Sequence, residues 1–186
     1  MESLQLPSCP SLSELTIKRC DQLTTIQLLS SPRLSKLDIE YCSCLESLLL
    51  REEILRRIIL VSPSLKSLHI WAINDLVSLP DDRLQHLTSL KSLEIGNCEG
   101  LMSLFQGIQH LGALEELRIH SCMQLNLSDK EDDDGGLQFQ GLRSLRKLFI
   151  REIPKLCLFQ RGFNMLPHWK LSQLDTVLIS PLYQTG

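Results

Sequence analysis

A chain of 186 residues in which 43% are hydrophobic and 22% are charged has the composition of a folded globular protein and not that of a disordered tail. Its 19 basic and 22 acidic residues give a formal charge of −3, which excludes the basic footprint of a nucleic-acid-binding domain and a polybasic membrane segment. The sequence contains no run of 18 apolar residues and no basic or apolar leader, so it predicts neither a membrane span nor a secretory signal.

One pattern recurs along the whole chain and is clearest at residues 90–101. Written as L-x-x-L-x-I-x-x-C-x-x-L, it matches the leucine-rich repeat, with cysteine in the position that asparagine or cysteine occupies. Six full copies and a degraded seventh copy start 22 to 31 residues apart. Their first residues are Leu12, Leu34, Leu65, Leu90, Leu114, Leu145 and Leu174.

Within each copy, the second leucine and the isoleucine alternate with variable residues, which is the period of a short strand with one buried face. A single strand of this kind cannot bury that face alone, so the copies are expected to stack as a parallel sheet. We therefore predict one α/β domain over residues 1–186, a curved leucine-rich-repeat solenoid. The parallel sheet should line its concave side, with loops and short helices on the convex side.

Two convex segments are long enough to carry extra structure. Residues 48–60 place apolar residues at helical spacing, which predicts a helix on the convex side. This helix could bind a partner, but a return segment packed against the solenoid is preferred. Residues 128–136 are acidic and contain no apolar residue. They lack the ligand spacing and closing glutamate of a calcium loop, so a solvated loop is preferred to a calcium site.

The cysteines follow the repeat. Four of the seven occupy its cysteine position, and the odd number does not suit a disulfide framework. We expect free thiols in a reducing compartment, hence a cytoplasmic protein, with the small side chain filling a narrow space at a turn. The seven are Cys9, Cys20, Cys42, Cys44, Cys98, Cys122 and Cys157.

No residue pattern predicts catalysis. The sequence has no P-loop, no G-x-G-x-x-G, no H-E-x-x-H, no G-x-S-x-G and no C-x-x-C pair. His86 and His110 hold equivalent positions in neighbouring copies, but no further ligand stands at a recognisable spacing, so two surface histidines are preferred to a metal site. We predict a chain that is not an enzyme, with no catalytic, cofactor-binding or metal-binding residues and no small-molecule substrate.

Function should reside in the residues that flank each strand isoleucine, because packing does not fix them and they differ from copy to copy. They form two predicted rows on what we call the concave face, with Trp71 and Phe149 facing solvent as candidate binding anchors. A sheet also exposes side chains that bind nothing, so this remains a hypothesis. The acidic residues fall in the earlier copies and the basic residues in the later ones, which suggests a protein partner of complementary charge. The predicted binding residues are Thr16, Asp38, His69, Glu94, Arg118 and Phe149 in one row, and Lys18, Glu40, Trp71, His120 and Arg151 in the other, in which Gly96 takes the position between Trp71 and His120.

Three phrases indicate a family. CPSLSELTI at 9–17, LKSLEIGNCEGL at 90–101 and GIQHLGALEEL at 107–117 resemble the C-terminal repeat region of plant intracellular nucleotide-binding leucine-rich-repeat disease resistance proteins, as does LPHW at 166–169. The resemblance implies a recognition module that senses a pathogen effector or a guarded host protein and restrains a nucleotide-binding switch domain. The G-x-I-P element of receptor-type plant repeats is missing, which agrees with an intracellular member.

The chain departs from that family in lacking a P-loop, so nucleotide binding and signalling are not expected of these 186 residues, and we expect a fragment of a larger protein. The alternative function is the substrate-recognition repeat region of an F-box-type ubiquitin ligase adaptor, whose repeats also use a cysteine position. That function requires an F-box-like helical segment before the repeats, and residues 1–11 do not provide one, so the resistance-protein interpretation is preferred.

Overall fold

The computed structural model describes residues 3–23, 25–42, 62–74, 76–79, 84–126, 141–154 and 176–180. Four predictions lie outside these residues: the helix within 48–60, the acidic segment 128–136, the LPHW segment, and the free thiols of Cys44 and Cys157. Within the described part of the chain, no helix is long and apolar enough to cross a membrane.

Short strands dominate the described residues, and each repeat contributes one of them to the main sheet. Among the residues that the structure describes, one short helix, α1 (Phe105–Ile108), lies between two of the repeats. The strands are β1 (Ser3–Leu6), β2 (Glu14–Lys18), β3 (Thr25–Leu28), β4 (Lys36–Glu40), β5 (Ser67–Trp71), β6 (Ser92–Gly96), β7 (Glu116–His120), β8 (Lys147–Arg151) and β9 (Thr176–Ser180).

Seven of these strands form one parallel sheet in the order β2-β4-β5-β6-β7-β8-β9. The order follows the chain, and each strand pairs with that of the next repeat in the predicted register: Leu68 lies beside Leu93, and Ile70 beside Ile95. The degraded seventh copy joins in the same way, with Val177 beside Leu148. The leucine-rich-repeat solenoid is confirmed.

A second line of pairing lies outside this sheet. Strands β1 and β3 form a two-stranded parallel sheet, with Leu4 beside Ile26 and Leu6 beside Leu28. Ser78 and Ser103 make an isolated parallel bridge in later repeats. This pairing was not predicted, because the repeat template covers only the residues around the main strand.

The leucines and isoleucines of successive copies form one continuous core. Leu34, Leu65, Leu90 and Leu114 are fully buried, whereas the equivalent Leu12 of the first repeat is only partly buried, since a core residue needs a repeat on each side. A cavity of about 630 Å³ opens at this first repeat, lined in part by Leu4, Leu15, Ile17 and Leu23.

A repeated turn ends each strand. The residue after the strand has positive φ in six repeats. In five of them its N–H donates to the last strand carbonyl of the next repeat, as from Asn97 to His120 at 2.9 Å. Cysteine then closes the turn: the thiol of Cys98 donates to the carbonyl of Gly96 at 3.3 Å, and that of Cys122 donates to the carbonyl of His120 at 3.2 Å. The residues with positive φ are Arg19, Tyr41, Ala72, Asn97, Ser121 and Glu152.

The prediction of free thiols agrees with the five cysteines that the structure describes. Cys42, Cys98 and Cys122 are buried, Cys9 and Cys20 are partly exposed, and all five are free thiols. At this position the thiol fills space at the turn and also donates a weak hydrogen bond to a carbonyl, whereas isoleucine occupies it in two copies, at Ile73 and Ile153.

Candidate functional site

The sheet register places the predicted rows side by side. One row runs through cross-strand partners on β2, β4, β5, β6, β7 and β8 and continues to Leu178 on β9; the other ends at Ser180. A third row, which the sequence analysis did not include, occupies the first position of each strand. Its members are Glu14, Lys36, Ser67, Ser92, Glu116, Lys147 and Thr176.

Exposure along the concave face differs from the expectation at several positions. Asp38 is only 6% exposed and Gly96 is buried, although both were expected to be free of packing. Trp71 and Phe149 are half-buried and do not stand fully in solvent. The reason is that side chains on a sheet lean on their cross-strand neighbours, a contact that the identity of each position alone does not reveal.

Trp71 occupies the centre of the face. Its indole N–H donates to the hydroxyl of Tyr41 at 3.2 Å, and the other edge of the ring lies over Gly96. The imidazole rings of His69 and His120 flank it, each with its centroid 5.8 Å from that of the indole. The glycine position on β6 thus leaves room for a large aromatic ring that reaches from β5 across the neighbouring strand.

A glutamate carboxylate lies beside a ring nitrogen of each of the two histidines. Oε1 of Glu40 lies 3.2 Å from Nδ1 of His69 and 2.9 Å from Nζ of Lys18. Oε1 of Glu94 lies 3.6 Å from Nε2 of His120. Burial lowers the pKa of His120 below its usual value, and Glu94 opposes that shift only in part, so this ring is neutral at pH 7.

The later repeats present a different surface. The guanidinium of Arg118 lies 4.2 Å from the centroid of the Phe149 ring, which is a cation–π arrangement, and it also contacts the carboxylate of Glu116. Nζ of Lys147 lies 3.9 Å from the other oxygen of Glu116. Phe149 is therefore partly covered by an arginine of the same face.

The difference in charge between the early and late strands of the face is smaller than predicted, because both ends carry charged groups of each sign. Strands β2 and β4 carry three carboxylates and two ammonium groups, whereas β7 and β8 carry one carboxylate and three cationic groups. The early end is therefore slightly acidic and the late end more strongly basic, once Lys18, Lys36 and Glu116 are counted. A partner of complementary charge remains a prediction.

The described residues offer no group of three or more His, Cys, Asp or Glu side chains that could hold a metal ion. The face carries a half-buried indole, a half-buried phenyl ring and several part-exposed charges. Aromatic and arginine side chains among charged neighbours are typical of protein-binding faces.

Comparison with known families gives a match to these repeats. The family model described as "Plant disease resistance protein RPS2-like, leucine-rich repeats" matches residues 1–123, about two thirds of the chain. No curated protein matches the chain.

Proposed function

Because the chain belongs to the family of RPS2-like leucine-rich repeats of plant disease resistance proteins, we propose that it is the recognition module of a plant immune receptor. In this role its concave face binds a protein in the cytoplasm, either a pathogen effector or a guarded host protein. The same repeats restrain a nucleotide-binding switch domain until that protein arrives. Leucine-rich repeats of resistance proteins are protein-interaction modules, and the proposal assigns the concave face as the surface of contact.

The observation that carries this proposal is that the buried residues of the strands repeat, whereas the outward residues differ from strand to strand. In β6 and β7 the two inward residues are the same, leucine and isoleucine, and all four are fully buried. Their outward partners differ: Glu94 lies beside Arg118, and Gly96 beside His120. A regular core that holds dissimilar side chains in register is suited to recognising one particular surface.

Two places on the face have the composition of binding hot spots. Trp71 lies among histidines and carboxylates at the centre, and Phe149 lies beneath Arg118 in the later repeats. Tryptophan, tyrosine and arginine are the residues most enriched among hot spots, and surrounding polar contacts exclude water from them. We expect both places to contact the partner.

The test is affinity purification of the tagged chain from plant tissue exposed to a pathogen, with recovered proteins quantified by mass spectrometry. Wild type is compared with Trp71→Ala/Phe149→Ala and, separately, with Arg118→Glu/Arg151→Glu. We expect both double variants to lose proteins that wild type retains.

The matched control is Arg33→Glu/Lys66→Glu, a double charge reversal at exposed residues outside the strands. It should recover the same proteins as wild type. Equal recovery by all four chains would show that the concave face is not the binding surface.

Restraint of a switch domain is tested separately by co-expressing the chain with the nucleotide-binding domain of a resistance protein. Co-purification of the two supports the proposal. Recovery of ubiquitin-ligase scaffold proteins in place of the switch domain would contradict it and favour the adaptor function.

A further inference from the structure

The earlier half of the concave face concentrates groups that accept hydrogen bonds. Cross-strand pairing sets Asp38 beside His69, His69 beside Glu94, and Glu40 beside Trp71. We call these five residues the acceptor cluster. Two of its atoms are buried without a hydrogen-bond partner.

The first of these atoms is Oδ1 of Asp38. The side chain is nine-tenths buried, and its other oxygen, Oδ2, lies 3.2 Å from Nζ of Lys36 and 3.5 Å from the hydroxyl of Thr16, which donates to it. Oδ1 has no partner of its own. A buried carboxylate oxygen without a donor is costly, and such an atom on a binding face points to a donor supplied from outside.

The second atom is Nε2 of His69. Nδ1 of the same ring lies 3.2 Å from Oε1 of Glu40, so in the neutral ring the proton belongs on Nδ1, where it faces the carboxylate. That tautomer leaves a lone pair on Nε2, which is buried and has no partner. In this neutral form the ring provides a second acceptor without a partner, next to Asp38.

Trp71 and Glu94 complete the cluster. The indole N–H is already used by Tyr41, so the ring offers its π face, which attracts cations. The carboxylate of Glu94 is one-third exposed. Each member of the cluster thus presents an acceptor, a negative charge or a π face.

We propose that the acceptor cluster binds an arginine side chain of the protein ligand, an inference that rests on the proposed function. A guanidinium carries five N–H donors in one plane, stacks on an indole and pairs with carboxylates. A lysine ammonium also fits the charge, but it has three donors and does not stack, so it binds less tightly.

The cationic side chains nearest to the acceptor cluster do not occupy the place that we assign to the ligand's arginine. Lys18 and Lys36 pair with Glu40 and Asp38, but their side chains are 49% and 44% exposed, and exposed ion pairs of this kind are weak. The neutral ring of His120 adds no positive charge beside Trp71. The guanidinium of Arg118 is held by Glu116 and Phe149.

The test begins with a phage-displayed library of random peptides selected on the immobilised wild-type chain. Clones that also bind Asp38→Asn/Glu94→Gln are removed. We expect the remaining peptides to be enriched in arginine. Replacing that arginine with citrulline, which keeps its shape and loses its charge, should weaken binding to wild type about tenfold. Glu99→Gln, at an exposed turn residue, is the control and should bind as wild type does.

The outcomes separate this inference from the proposed function. Peptides that depend on Trp71 or Arg118 but carry no arginine would overturn the inference and leave the concave face as a binding surface. Peptides enriched in aspartate or glutamate at the acceptor cluster would also overturn it. A library that yields no peptide dependent on any residue of the face would contradict the proposed function itself.

Discussion

The indole ring of Trp71 lies over the backbone of Gly96, in the space that a side chain would otherwise fill. The two residues are cross-strand partners, so the absence of a side chain on β6 sets the position of the aromatic ring from β5. A glycine that interrupts a row of recognition residues therefore contributes to the face by seating its neighbour, between the imidazoles of His69 and His120.

Gly96→Ala should displace the Trp71 ring, because the new Cβ would overlap the indole. We expect a loss of about 1 kcal/mol in the free energy of unfolding and a red shift of Trp71 fluorescence as the ring becomes more exposed. Since Trp169 is the other tryptophan of the chain, the measurement uses a Trp169→Phe background.

The control for this change is Ser92→Ala, on the same strand and the same face, which should leave the emission of Trp71 unchanged. An alanine at position 96 that leaves both emission and stability unaltered would show that the ring does not rest on this glycine in solution.

Leu93→Asp tests the register of the sheet. The Leu93 side chain is fully buried, so the substitution places an unpaired carboxylate in the core and should cost more than about 4 kcal/mol, enough to unfold the solenoid. Trp71→Ala, on the opposite face, should retain the fold and change binding only. Urea unfolding followed by circular dichroism distinguishes them, and equal stability of the two variants would show that the register is wrong.

The main sheet could be predicted from the sequence because its register depends on a strict alternation. Leucine and isoleucine two residues apart must share the buried face, and a one-residue slip would expose every core residue of a strand. The same spacing also predicts the register of β9 in the degraded copy, where Val177 replaces leucine. A feature that every repeat shares can therefore be predicted from the sequence alone.

The contacts across the face could not be predicted, because they depend on which side chain stands in the neighbouring repeat. Asp38 is buried because Lys36 and Thr16 contact it, and those residues lie two and twenty-two positions away. The link between Trp71 and Tyr41 spans thirty residues and joins a strand to a turn. The template sets Thr16 beside Asp38, but it does not specify which neighbouring side chains bury one another or bond across the face.

Cys122 should resist alkylation in the folded chain. Burial raises the pKa of its thiol to about 11, so at pH 8 only about one molecule in a thousand carries the reactive thiolate. Cys9 and Cys20 are partly exposed and should react first. Iodoacetamide labelling followed by peptide mass spectrometry, with and without urea, measures this order. Modification of Cys122 in native buffer as fast as that of Cys20 would contradict the burial of the cysteine position.

Arg19→Asn should stabilise the protein. Arg19 is exposed and has a φ of 51°, in the left-handed region that asparagine tolerates better than arginine does. We expect a gain of up to about 1 kcal/mol in the free energy of unfolding, measured by urea titration. Arg33→Asn makes the same chemical change at an exposed residue that does not have positive φ, and it should alter stability little. A larger gain at Arg33 would show that relief of backbone strain is not the cause.

The stability of the solenoid should fall in mildly acidic solution because of His120. Burial lowers the pKa of this histidine in the folded chain, while in the unfolded chain it returns to about 6.5. As pH falls through about 6.5, the unfolded chain binds the proton first, so the free energy of unfolding decreases until the pH reaches the lower folded pKa. Above about pH 7.5 both states are neutral and the effect vanishes.

His120→Gln should remove this part of the pH dependence, whereas Glu94→Gln should increase it, because the Glu94 carboxylate favours the charged imidazole. Urea unfolding between about pH 7.5 and about pH 5.5 measures the effect as the difference between each variant and wild type. His110→Gln, at an exposed histidine, is the control and should follow the wild-type curve. A difference between wild type and His120→Gln that stays constant over this range would show that His120 binds its proton equally well in the folded and unfolded chains.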